Sequence, residues 1–189
     1  AENWSMEELS SVSIDDEKAG ETIVDYLIEH GHTKIAEIGA NLELSQTAIL
    51  RHNGYLNSFK KHGITPDERY YERARFSYDS AYRAMKKLLE KDIEITAVYA
   101  ISDVMAIGAI RAILDKGLRV PEDISITGFD GSTLAEYYNP KIVSIRQPHK
   151  DMAARSVELL FSMIDLHKGS CHEIIPFELT EGESVARID

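Results

Sequence analysis

Two polar residues stand at breaks in the apolar pattern where ligand chemistry could operate. Arg51 sits in a helical stretch after a short apolar run, and its planar guanidinium suits paired hydroxyls or a carboxylate. Asp130 follows directly on the apolar run 124–129. A carboxylate there can accept two hydrogen bonds from adjacent ligand hydroxyls or ring N–H groups. Each has a plainer alternative. Arg51 can be an exposed helix arginine, and Asp130 an Asx turn or the cap of a short helix after Gly131. Thr47, on the helix that carries Arg51, is a further candidate. Phe76, between Arg75 and Ser77, is either core or a flat platform for a ring.

Other reactive constellations are missing from the sequence. No two glycines are spaced as G-x-G, and neither a G-x-x-x-x-G-K-[ST] phosphate loop nor a G-x-S-x-G nucleophile elbow occurs. Among seven histidines, His30 and His32 flank a helix-stop glycine, while His52 and His62 lie too far apart on one helix to share a metal. They read as surface histidines. The acidic run Asp15, Asp16, Glu17 fits the first turn of a helix, where the dipole favours negative charge. The single cysteine, Cys171, cannot form an internal disulfide, which fits a reducing cytoplasm. No enzyme activity, cofactor or metal is expected.

The elements that must position these residues alternate between two periods. Ala19, Ile23, Val24, Leu27 and Ile28 repeat with helical spacing, and Gly31 can close that helix. The run 35–38 predicts a buried strand. A helix over 46–61 is capped by Ser45 and stopped by Gly63, Pro66 marks a turn, and a third helix fits 79–91. The pattern repeats with a strand at 97–101, a helix at 103–116 started by Asp103, and a strand at 124–129. A candidate strand at 143–145 and a long helix at 150–167 follow. The run 174–179 predicts one last strand at a sheet edge, because Pro176 cannot donate to a ladder. Strands alternating with helices of this length predict an α/β fold of three layers with a mainly parallel sheet. Ligands of such sheets sit beyond the carboxyl ends of the strands, which is where Arg51 and Asp130 fall.

The formal net charge of -11 argues against nucleic acid as a direct partner, since that affinity rests on Lys and Arg neutralising phosphates. No apolar run approaches the length that spans a bilayer, so no membrane partner is expected. Residues 1–12 read as a lead-in without regular structure.

From residue 102 onward the sequence resembles a known family. The stretch Ser102-Asp103-Val104-Met105-Ala106-Ile107-Gly108-Ala109 is followed by Gly117-Leu118-Arg119-Val120-Pro121-Glu122-Asp123-Ile124-Ser125-Ile126-Thr127-Gly128-Phe129-Asp130-Gly131. Both are similar to the lactose/galactose/purine repressor family. Further matches run in order along the chain: Ser13-Ile14-Asp15-Asp16, Ala19-Gly20, Gly31-His32-Thr33-Lys34-Ile35-Ala36, then Arg51, Gly54 and Tyr55, then Pro140 and Ser144-Ile145-Arg146-Gln147-Pro148. They cover nearly the whole chain.

That resemblance implies a periplasmic-binding-protein-like (type I) fold of two α/β subdomains with an effector cleft between them. The match starts where the family chain enters its second subdomain. Residues 13–142 would then be most of that C-terminal subdomain, 143–168 a segment of the N-terminal one, and 169–189 the return. The DNA-reading helix-turn-helix would lie outside this chain. It further implies that Arg51, Asp130, Phe76, Ser102 and Thr47 contact the effector, with Phe76 stacking on it and Ser102 as a polar contact. Ile107, Tyr138 and Tyr82 would fall in a homodimer interface. The function implied is the effector-binding and dimerising core of a sugar-type transcriptional repressor. Its partners would be a small sugar-like effector, a second copy, and operator DNA through the headpiece alone. The alternative is an exported solute-binding protein of the same fold, which an export signal upstream would reveal.

Overall fold

The computed structural model describes residues 10–43, 45–166 and 170–188. Most of the proposed lead-in (1–9) therefore lies outside the described residues, as does the last residue of the helix expected to 167. Six strands form the main sheet: β2 (Ile35–Gly39), β3 (Tyr71–Arg73), β4 (Ala97–Ala100), β5 (Ser125–Asp130), β6 (Val143–Arg146) and β8 (Glu178–Thr180). Their order is β3-β2-β4-β5-β6-β8. All neighbours pair parallel except β8, which runs antiparallel to β6 at the edge.

Helices α1 (Asp16–Glu29) and α2 (Gln46–Lys61) pack together as one outer layer, and α3 (Tyr78–Glu90) and α4 (Asp103–Asp115) as the other. This is the three-layer α/β arrangement that the alternating pattern demands. The sheet is covered on both sides, so its strands are continuous apolar runs. Ile35, Ile38, Val98, Ile126 and Phe129 are buried between Ile23 and Leu27 on one side and Met85, Leu88 and Ile110 on the other. Each such side chain contributes roughly 1.5–3 kcal/mol by leaving water.

Local chemistry sets the helix starts. The side chains of Ser45, Ser77, Ser102 and Ser132 each accept the backbone N–H three residues on, capping α2, α3, α4 and the short α5 (Thr133–Tyr137). Asp15 caps α1 in the same way. Gly31 and Gly63 adopt positive φ just past α1 and α2, as their placement predicts.

Several expectations are corrected. Residues 11 and 12, the end of the expected lead-in, have regular structure together with residue 13. They form strand β1 (Ser11–Ser13), which pairs parallel with β7 (His172–Ile174) in a separate two-stranded sheet. The expected strand 174–179 is two strands in two sheets. Pro176 lies in the break between β7 and β8, where no ladder donor is needed. The segment 143–168 is not all of one kind, because Val143–Arg146 is a buried strand of the main sheet. Within the segment 169–189, the strand that joins the main sheet is β8, Glu178–Thr180. Strand β3 and the 3-10 turn Glu68–Tyr70 before it escaped the sequence reading, since three residues, none of them fully buried, carry no period.

Beside the main sheet stand β1, β7 and α6 (His149–Leu166), with α6 against β1. Val157, Leu160, Phe161 and Ile164 on α6, and Ile174 on β7, are each more than half exposed. Among the described residues no helix is long and apolar enough to cross a membrane.

Candidate functional site

The chain leaves β2 for β3 on one side and β4 on the other. The strand order therefore reverses at β2, and a crevice opens outside the carboxyl ends of the sheet. There the structure has a cleft of about 460 Å3. It lies among the N-terminus of α2, the end of β5, strand β1 and the first turns of α6. Thr47, Arg51, Phe76 and Asp130 all line it, so four of the five sequence candidates converge.

Arg51 is held firmly. Its Nε donates to Asp16 Oδ1 at 2.8 Å, and its Nη1 donates to the Ile101 carbonyl at 2.6 Å. The guanidinium lies 3.5 Å over the Phe129 ring, and Nη1 is 3.8 Å from Asp130 Oδ1. Arg51 is only 4% exposed. It is therefore not the exposed helix arginine of the plain alternative. It is also not a free fork, because two of its nitrogens already serve Asp16 and the end of β4.

Asp130 ends β5 in a left-handed conformation, φ 123°, the only non-glycine at positive φ among the described residues. Such a backbone costs of order 1–3 kcal/mol and must be held by its surroundings. The hold is visible. Gly131 follows at φ 63°, the Gln147 side-chain amide donates to Asp130 Oδ1 at 2.8 Å, and the Gln147 N–H donates to the Asp130 carbonyl. Burial pushes the Asp130 carboxyl up to about 6; Arg51 opposes the rise, and the nearby Asp103 carboxylate adds to it. The side chain is 30% exposed, into the cleft.

Asp103 does not cap its own helix, as the sequence reading had it; Ser102 does. Buried Asp103 instead accepts from the Ser132 N–H and the Ser144 hydroxyl, both at 2.6 Å. Burial raises its carboxyl, and those two hydrogen bonds pull it back. Ser144 in turn accepts the Gly131 N–H. Asp103 thus ties the turn after Asp130 to β6. Gly128 makes room for it, since a Cβ there would sit 2.4 Å from Asp103 Oδ1. Ser102 stands apart from the other four candidates. Its hydroxyl accepts the Met105 N–H as the α4 cap, and it does not line the cleft.

Thr47 is buried, 7% exposed, and its Oγ1 has no hydrogen-bond partner. A buried hydroxyl without a partner is costly, and this one stands at the cleft wall. Phe76 exposes 47% of its surface at the rim, which favours the platform over the core alternative. Sequence reasoning missed Asp16, Gln147, His149, Met152 and Ser156, which also line the cleft. Gln147 lay inside a quoted motif, but no local signal links it to Asp130.

The histidine reading needs a correction too. His32 is 1% exposed and bonded to Thr96 and the Ala186 carbonyl, and His52 pairs with the fully buried Glu37 at 2.7 Å. Among the described residues no group of three or more His, Cys, Asp or Glu could hold a metal.

Tyr82 on α3, Ile107 on α4 and Tyr138 after α5 are half-buried and packed on the core. Helix α3 packs on α4 and α4 on α5, whose Tyr137 is 82% exposed.

Residues 24–185 match the periplasmic binding protein-like domain family. This chain belongs to that family. The resemblance to the lactose/galactose/purine repressors holds as well. The chain is 41% identical over 179 residues to the HTH-type transcriptional regulator MalR of Clostridium butyricum, covering 95% of itself and 53% of that protein. Among solved structures, it is similar to a transcriptional regulator CelR–cellobiose complex, with a TM-score of 0.89 and 33% identity, over 94% of this chain and 54% of that one. It is also similar to a LacI family transcriptional regulator from Enterococcus faecium with bound ribose, with a TM-score of 0.88 and 26% identity, over 95% of this chain and 67% of that one. The chain spans about half the length of the curated relatives it matches.

Proposed function

We propose that this chain is the effector-sensing part of a LacI-type transcriptional repressor, and that the cleft between α2, β5 and α6 is one wall of its effector site. The observation that carries this is the convergence at one crevice of an unpaired buried hydroxyl, Thr47, a strained and elevated carboxyl, Asp130, and an exposed ring, Phe76. Similar regulators have been solved with cellobiose and with ribose, which supports a sugar or sugar derivative here. Arg51, Thr47, Phe76 and Asp130 are the contacts, and Gln147 holds Asp130.

The exposed apolar face of α6 and the two-stranded β1–β7 sheet are the parts that pack into the N-terminal subdomain of the intact protein. Effector bound between two subdomains shifts their relative orientation only by the difference in its affinity for the two states. Association of two copies through Tyr82, Ile107, Tyr138 and the exposed Tyr137 carries that shift to a pair of DNA-reading headpieces on a palindromic operator. With a charge of -11, this part leaves DNA contact to those headpieces. The protein works in the cytoplasm and catalyses no reaction.

The test is operator binding by the full-length protein, measured by fluorescence anisotropy with and without a panel of sugars. One sugar is expected to change the DNA affinity, and Thr47→Val to blunt that change. Indifference to every sugar, or turnover of one, overturns the proposal.

A further inference from the structure

The charges around the cleft constrain its ligand further than shape does. Among the described residues that line it, Arg51 is the only arginine or lysine, against two carboxylates, Asp16 and Asp130. Two of the three Arg51 nitrogens are also already engaged within the protein. Arg51 donates to Asp16 at 2.8 Å and to the Ile101 carbonyl, and its guanidinium faces Asp130 at 3.8 Å. The one cation is thus neutralised inside the protein before any ligand arrives. With both carboxylates ionised, the three groups sum to one negative charge.

We infer that this wall selects an uncharged polyhydroxyl ligand, a free saccharide rather than its phosphate ester or uronate. The inference rests on the effector reading above and narrows it.

The polar groups that remain suit hydroxyls. The Asp130 carboxylate, 30% exposed, accepts from a hydroxyl pair. The Thr47 Oγ1, buried and without a partner, both accepts and donates. The exposed ring of Phe76 offers an apolar face to the C–H side of a pyranose or furanose. None of these groups supplies a counter-charge for phosphate. Like charge at close range and partial burial is strongly unfavourable, so a phosphate ester is expected to bind roughly ten- to a hundredfold more weakly than its parent sugar. His149 at the start of α6 is the other titratable group of the lining.

The experiment titrates the isotopically labelled chain with matched pairs, ribose and ribose 5-phosphate, glucose and glucose 6-phosphate, and with cellobiose. It reads the backbone amides of Thr47, Arg51, Gly131 and Gln147. At least one neutral sugar is expected to shift these amides, and its phosphate to bind at least tenfold more weakly. Asp130→Asn, which removes one negative charge, narrows that gap. Ala153→Lys places a cation on an exposed α6 position of the same lining and tests the charge argument without touching the core. It should bring the phosphate esters in. Phosphate esters binding as tightly as the parent sugars, or failure of both variants to narrow the gap, overturns the inference and leaves the effector reading standing. Silence from every sugar, charged or not, overturns both.

Discussion

Asp130→Asn should make the chain more stable at neutral pH and a poorer binder. The wild-type carboxyl is raised from 3.8 to about 6, chiefly by burial, a shift that corresponds to roughly 3 kcal/mol against the ionised form. The folded-state value lies above the unfolded one, so the folded chain holds this proton more tightly. The stabilisation is fully present below the unfolded value and is lost as pH rises from about 4 to about 6. At neutral pH the ionised side chain is therefore a burden on the fold. Asparagine keeps an oxygen for the Gln147 amide, tolerates the left-handed backbone at φ 123°, and cannot ionise. Because solvent reaches the side chain, the expected gain is about 1–3 kcal/mol near pH 7.5, shrinking towards zero near pH 4. Urea denaturation of both proteins at the two pH values measures it. Effector affinity moves the other way, because the amide replaces an acceptor with a donor. In the wild type, affinity should fall by about tenfold between pH 7 and pH 5 as the carboxylate is titrated, and Asp130→Asn should flatten that profile. A variant that is less stable at neutral pH, or a gain that persists unchanged in acid, would refute the account of Asp130 as a strained ligand-facing carboxylate.

Three further outcomes follow from the geometry. Arg51→Ala removes the guanidinium between two carboxylates and should cost about 3–5 kcal/mol, read as a lowered urea midpoint, so it cannot serve as a clean binding variant. Thr47→Val removes a buried hydroxyl that has no partner. Stability should hold or rise by up to about 1 kcal/mol, while calorimetric titration shows a weaker effector. Gly54→Ala would place a Cβ 2.3 Å from the Glu17 carbonyl oxygen and force α1 from α2, costing about 1–3 kcal/mol or more, seen as a lowered Tm.

Period and punctuation carried most of the fold. Buried parallel strands write themselves as short apolar runs, serine caps and stop glycines mark helix ends, and these signals are local. The same locality explains the failures. Strand β3 is three residues long and only partly buried. The run around Pro176 reads as one strand until two sheets claim its two halves. The cap of α4 fell to Ser102 and not to Asp103, although both residue types can cap a helix. Which of them does so was settled by Ser132 and Ser144 approaching from elsewhere in the chain.

The site divides the same way. That Arg51 and Asp130 lie at strand carboxyl ends, with Thr47 one helical turn from Arg51, is written in the sequence. Only tertiary structure decided that Asp16, 35 residues away, would hold Arg51, that Asp130 would take a left-handed backbone braced by Gln147, and that Thr47 would be left without a partner. The reason is physical. A periodic pattern specifies which face of an element avoids water, whereas pairing, strain and carboxyl proton affinity depend on groups distant in sequence that the packed fold brings within a few ångströms.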